Sequence, residues 1–230
     1  MKRILIAICS LLLVFPLLAN AEKKWERVEK ARKPGEVSTW VRKVEGAAVK
    51  EFRGEVEVQD APLRVLLALD KVDDFPRWVY HCKHGERMPT GGAYMQFEGI
   101  WPAADRDVLV KSVPSIKSDR VRIDTTHLDG MVPEQDDFVR IVKLENSFEV
   151  VPLPNGGSKV IFQTFVDLGG ILPAWISNVV AKDGPLHTLN DLRTYLEQHP
   201  EPAPSVDQLS RIYDPIRADL QTFLQAPPAP

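Results

Sequence analysis

The sequence predicts an α+β domain in which a succession of antiparallel strands is closed by one long helix towards the C-terminus. Three observations predict it. Apolar residues recur with period two in short segments between Trp40 and Val166, and the period changes to that of a helix after Leu172. Turn signals, notably Gly91-Gly92 and Asn155-Gly156-Gly157, separate most of the strand segments.

The N-terminus comes first. Met1, Lys2 and Arg3 precede an apolar run from Ile4 to Leu18 and then Ala19-Asn20-Ala21, the positive, apolar and small-x-small parts of a secretory signal peptide. At about 15 residues the run is shorter than the roughly 20 that cross a bilayer as a helix, and no stop-transfer pattern follows. Cys9 lies near the start of the run, away from the place where a lipid-modified cysteine would become the mature N-terminus. The expected product is a free periplasmic or secreted protein beginning at Glu22. Of its 209 residues only Cys82 is a cysteine, so an intramolecular disulfide is excluded and packing alone must hold the fold. Loss of Lys2 and Arg3 takes the formal charge from −3 to −5, and the basic residues are scattered among acidic ones, which argues against a nucleic-acid partner.

After a polar lead-in, Thr39 to Val44 and Glu51 to Val58 alternate as half-buried strands. Asp60 is placed to cap a short helix with Pro62 in its first turn and Leu63, Leu66, Leu67 and Leu69 on its apolar side. Six strand segments follow: His81 to Met88, Ala93 to Ile100, Val108 to Val113, Val121 to Thr126, Phe138 to Pro152 and Ser158 to Val166. A meandering antiparallel sheet is the economical arrangement. From Pro173 to about Gln198 the residues Leu172, Trp175, Ile176, Val179, Val180, Leu186, Leu189, Leu192 and Leu196 recur at helical spacing, and Gly184-Pro185 should kink or divide that helix. Residues 199–204 read as a stiff, proline-rich linker, and 205–225 as a small helical appendage opened by the capping box Ser205 to Gln208. The tail 226–230 cannot form a core. The expected organisation is a signal peptide over 1–21, the main domain over 22–198, then linker, appendage and tail.

Two passages are more specific. One is Pro102-Ala103-Ala104-Asp105-Arg106-Asp107, between two strands, and the other is Gly169-Gly170-Ile171-Leu172-Pro173-Ala174-Trp175, at the junction of the last strand and the long helix. With the order of elements, they resemble the START (steroidogenic acute regulatory protein-related lipid transfer) family, in its PxxxRD turn and its GGxxPxW start of the C-terminal helix. The resemblance covers about Trp40 to Leu196. It implies a helix-grip fold, a curved sheet wrapped around the C-terminal helix with a hydrophobic tunnel between them, and a lipid or similar hydrophobe as partner. The expected protein is a monomer by default, uses no cofactor and makes transient contact with a membrane surface. The glycines before the helix are suited to let that segment move and admit ligand.

Within this resemblance Arg106 is expected to face the interior and meet a ligand headgroup, paired with a carboxylate of an earlier strand. The matching strand offers His84 and Glu86, and the count from Trp78 lands on His84. The plainer reading makes Arg106 part of a surface turn solvated by Asp105 and Asp107. Trp101, His127, Phe148, Phe165, Trp175 and Val179 are the other expected ligand contacts, and Trp78 and Trp101 serve equally well as core aromatics. In His81-Cys82-Lys83-His84, Cys82 and His84 are expected to share one strand face with His81 on the other, short of the three or four ligands that zinc requires. No Gly-x-Ser-x-Gly elbow, His-Glu-x-x-His helix or phosphate-cradling loop occurs. No catalytic residue and no metal ligand is assigned. Two alternatives remain. One is an enzyme of the polyketide cyclase or aromatase type, with Asp124 and His127 as its acid or base. The other is a module that docks on an envelope protein through residues 205–224.

Overall fold

The computed structural model describes residues 24–228 apart from 48, 90, 131, 171 and 173, and in the long helix it leaves the side chains of 174, 175, 177, 178 and 181 undescribed. The signal-peptide reading of 1–21, and Ile171 and Pro173 of the second motif, lie outside the described residues.

The chain begins with β1 (Glu26–Glu29), β2 (Ser38–Lys43) and β3 (Lys50–Val58), then α1 (Pro62–Asp70) and a 3-10 turn over Val72–Arg77. Six strands follow, β4 (Cys82–Arg87), β5 (Ala93–Phe97), β6 (Asp105–Ile116), β7 (Val121–His127), β9 (Lys143–Pro152) and β10 (Ser158–Asp167), with the short β8 (Phe138–Arg140) between β7 and β9. The long helix α2 (Ala174–Gln198) comes next. Two short 3-10 turns, Val206–Gln208 and Arg211–Ile216, then lead into α3 (Arg217–Gln225). One sheet runs in the order β1-β2-β3-β10-β9-β7-β6-β5-β4. All its neighbours are antiparallel; β8 alone adds a parallel pairing to β6. The hairpins run in succession from β4 to β7 and from β9 to β10. The sheet departs from a meander after β3, where the chain crosses through α1 to β4 at the far edge and returns strand by strand until β10 pairs with β3. This is the α+β, helix-grip arrangement that the resemblance implies.

Several local expectations change. β1 is exposed along its whole length, so it carries no apolar alternation to reveal it. The stretch from Phe138 to Pro152 is two strands. At the break the Ile141 amide donates to the Asp107 carbonyl and the Val142 amide to that of Asp167, so the chain passes from the edge of β6 to that of β10. The N-cap of α1 is Ala61, with no side-chain cap bond. The Asp60 carbonyl instead accepts the Ser158 hydroxyl at 2.7 Å, and burial raises the pKa of its carboxyl. Gly184-Pro185 does not divide α2, which continues through both residues.

Helix α2 lies directly on β3. A Cβ at Gly54 would stand 2.7 Å from Leu189 Cδ1 and 3.6 Å from Pro185 Cβ, so this strand position admits only a glycine at the observed spacing. Register carries that face across the sheet, because residues directly opposite on neighbouring strands share a face. Gly54 stands opposite Phe162, Phe162 opposite Phe148, Phe148 opposite Ile123, and Ile123 opposite Pro114. By alternation along β6, Arg106, Val108 and Val110 also face α2, whereas Asp107 and Leu109 face outward.

One apolar cluster joins α1, the inner face of the sheet and α2 through residues such as Leu66, Val160, Leu189 and Leu192. Leu209, Tyr213 and Leu220, from the segment after the linker, are buried in the same cluster. The expected capping box is present, with the Ser205 hydroxyl accepting from the Asp207 amide and Gln208 Oε1 accepting from the Ser205 amide. The Ser210 amide and hydroxyl then donate to the Asp70 carboxylate at 2.6 and 2.7 Å. A second cluster, with Met95, Val108, Val110, Ile141 and Leu144, fills the end of the sheet formed by β5 and β6.

Candidate ligand-binding site

Between the inner face of the sheet and α2, two cavities of about 150 and 90 Å³ share Phe97, Leu144, Phe162 and Thr188 as common wall. They are adjoining chambers of one elongated hollow. The first is walled on the helix side by Ile176, Val180, Gly184 and Thr188, one residue per turn. On the strand side it has Phe52, Ile141, Leu144 and Phe162. The second reaches Trp78, Phe148, Ile212 and Tyr213. A more voluminous groove, about 590 Å³, runs between α1 and His199. Its walls carry Arg64, Asp70, Lys71, Asp73, Arg77 and Arg87, so it is a wet, charged surface cleft unsuited to an apolar guest.

Arg106 is 6% exposed and lines the first chamber. Its Nη1 donates to the Ala104 carbonyl, and its buried Nε has no partner among the described residues. Burial lowers the pKa of the guanidinium and the Asp105 charge works against that, yet arginine stays ionised at any ordinary pH. The interior position implied by the resemblance is therefore observed, and the surface-turn reading is not. Neither offered partner reaches it. A bulge between Cys82 and His84 sets Cys82 opposite Phe97 and His84 opposite Gln96, so Cys82 faces inward and His84 outward. The expectation that they share a face is corrected by that bulge. His84 and Glu86 face each other outside, 3.7 Å apart, with side chains 49% and 61% exposed.

The flanking aspartates are committed elsewhere. Asp105 accepts the Gly99 amide at 2.9 Å and the Lys83 ammonium at 2.6 Å. Asp107, 1% exposed on the outer face, takes Arg140 in a two-pronged pair at 2.8 and 2.9 Å and the Tyr94 hydroxyl at 2.9 Å. Gly169 and Gly170 turn beside these groups with φ of 67° and 69°, where a side chain at Gly169 would strike the Arg140 carbonyl.

The remaining expected contacts divide. Phe148 lines the second chamber, stacked on Phe162 at 4.3 Å. Trp101 is 87% exposed, on a loop whose neighbours Ile100 and Ala103 line the first chamber. Phe165 alternates onto the outer face, where the Lys143 ammonium lies 5.2 Å from its ring. Val179 is half-buried and outside the lining, because the helix presents Ile176 and Val180 instead. The Trp175 side chain lies outside the described residues. His127 is on the inner face but outside both linings, its Nδ1 3.4 Å from the Leu144 amide. Asp124 is on the outer face, bound to Arg122 at 2.6 Å, so the two groups nominated for catalysis do not meet in the cavity. Among the described residues no cluster of three or more His, Cys, Asp or Glu could hold a metal. His81, Tyr80 and Thr188 line the first chamber without having been foreseen. His81 adopts φ 55°, which no sequence pattern marked.

No family model matches the chain. It is 25% identical over 191 residues to an uncharacterised protein of Pseudomonas aeruginosa, covering 80% of this chain and 93% of that protein. Among solved structures it is similar to a STAR-related lipid transfer protein of Xanthomonas axonopodis, with TM-score 0.69 and 26% identity over 76% of this chain and 99% of the other. Human StAR-related lipid transfer protein 5 superposes with TM-score 0.64 at 18% identity, covering 76% of this chain and 86% of that one. The fold is that of START domains, a bacterial one included.

Proposed function

From a START-like fold closed around an apolar hollow, we propose that this chain binds a lipid or similar hydrophobic small molecule, one per monomer, and carries it through the periplasm without a cofactor. The observation that carries the binding is the pair of adjoining chambers between the sheet and α2, walled largely by aliphatic and aromatic side chains, with Arg106 the buried cation among the described lining residues and Lys50 and Arg87 partly exposed. Apolar surface leaving water contributes about 25 cal/mol per Å², so a guest hiding about 400 Å² gains roughly 10 kcal/mol before the costs of association. Hydrophobic burial thus suffices for retention, and release needs only a membrane to receive the guest. The export reading supports the compartment, and the exposed Trp101 beside the chamber wall supports a transient membrane contact, because an indole suits the interfacial zone.

The test is uptake of a fluorescent fatty-chain probe, followed by its transfer between donor and acceptor vesicles. Saturable one-to-one uptake that falls at least about tenfold in Ile176→Trp, where the larger ring fills the first chamber, is expected. Uptake unchanged in that variant would place the guest elsewhere. Transfer no faster than without protein would leave binding and remove transport.

A further inference from the structure

We propose that the guest carries an anionic headgroup, a carboxylate or a phosphate monoester, seated on Arg106. This rests on the ligand-carrying role proposed above and names the chemical class of the ligand.

Arg106 is a permanent cation more than nine-tenths buried in the wall of the first chamber, and among the described residues one of its five N–H groups is used, on the Ala104 carbonyl. A buried guanidinium needs an anion, because it cannot relieve its desolvation by losing a proton. The fold brings carboxylates close and spends each on another group. Asp105 holds Lys83 and the Gly99 amide, Asp107 holds Arg140 and Tyr94 on the far face, and Glu86 stands outside beside His84. The row that crosses the inner face at Arg106 continues through Phe97 to Cys82. Phe97 is uncharged, and burial pushes the Cys82 thiol up to about 12, so it supplies no thiolate at neutral pH. Glu98, the remaining acid of the lining, is exposed, and its charge acts on Lys83 at the surface.

The position left open suits an anion in shape as well as charge. Gly170 sits beside the guanidinium with no side chain, and a Cβ there would come within 3.9 Å of Arg106 Nη2. His81, in the same lining, has a buried Nδ1 with no partner among the described residues and can supply a second polar contact. A planar guanidinium with parallel free N–H groups matches two oxygens of a carboxylate or phosphate. An alcohol or ester headgroup would leave the charge unmatched, and an amine would add a second cation.

The experiment is titration calorimetry of the mature protein at neutral pH with dodecanoate, dodecyl phosphate, dodecanol and dodecylamine, and with acetate and inorganic phosphate as headgroups alone. Dodecanoate or dodecyl phosphate is expected to bind about tenfold to a hundredfold more tightly than dodecanol, the amine more weakly still, and the free anions weakest. Which of the two acids is preferred distinguishes the carboxylate from the phosphate source. Arg106→Met should lose the preference for acid while keeping dodecanol binding. Unliganded, it should melt no lower than wild type, because the arginine it removes has no internal anion. Should that variant fail to fold, Phe97→Asp, which sets a carboxylate directly opposite Arg106, is expected to abolish the preference from within. Equal affinity for dodecanol and dodecanoate would overturn the headgroup assignment and leave the ligand-carrying role standing. No uptake of any chain, or inorganic phosphate binding as tightly as dodecyl phosphate, would overturn both.

Discussion

Arg106 and Asp107 are neighbours in sequence and do opposite work, because successive residues of a strand point to opposite faces. Asp107 ties β6 to β8 through Arg140, in a pair whose carboxylate side chain is 1% exposed and whose guanidinium side chain is 14% exposed. Breaking one side of such a pair leaves a buried charge unmatched, so Arg140→Met is expected to lower stability by about 3 to 5 kcal/mol, read from urea unfolding. A change below about 1 kcal/mol would show that the pair is no more than a surface bridge. Asp105 responds to pH. The Gly99 amide first, and the Lys83 ammonium second, hold its carboxyl below the usual carboxylate range. A folded-state pKa below the unfolded value adds stability that is present above the unfolded value, about 3.9, and is lost as pH falls through the folded one. The stability gap between wild type and Asp105→Asn should therefore be largest near neutrality and close below about pH 4. A gap constant down to pH 2 would contradict the assignment. That Arg106 is internal was legible from its motif. The emptiness around it was not, because a bulge between Cys82 and His84 turns the strand over and leaves no mark in composition or spacing.

At the scale of elements, the contact between β3 and α2 sets how far the hollow can open. Gly54 permits the approach and Leu189 fills it. Gly54→Ala is expected to cost about 1 to 3 kcal/mol by overpacking. Most of that cost should vanish in a Leu189→Ala background, so a double-mutant cycle by chemical denaturation would show strong coupling. Additive effects would mean that the two positions do not touch. Strands β2, β3, β7 and β10 were readable within a residue or two, because one face of each is buried and period two survives in the sequence. β1 was invisible because both its faces are wet. The break between β8 and β9 was invisible because backbone amides alone define it. Gly184-Pro185 does not divide the helix. A proline removes one amide donor, and Pro185 lies close against Gly54, where packing on β3 holds the two halves of the helix in one element. On the helix, Ile176 and Val180 belong to the periodic apolar residues, but which side of that stripe meets the hollow is fixed by rotation about the helix axis, and spacing alone does not record it.

For the whole molecule, the segment after the linker completes the core. Leu209, Tyr213 and Leu220 are buried with α1 and α2, and Ile212 and Tyr213 wall the second chamber. A chain ending at Gln198 is thus expected to melt well below the full one and to lose affinity for long acyl chains more than for short ones, measured by thermal unfolding and chain-length titration. Equal melting temperatures would show the segment to be a passenger. The segment's helical character was legible from its capping box, but its seat in the core depends on distant partners such as Asp70, which local spacing does not identify. The central claim is that the hollow between sheet and helix holds a hydrophobic guest. Native mass spectrometry of the protein purified from its native cells, with denaturing extraction of whatever is bound, tests that most directly. A stoichiometric mass increment that extracts as an acidic lipid is the expected result; an empty protein that also refuses a panel of acyl chains would contradict it.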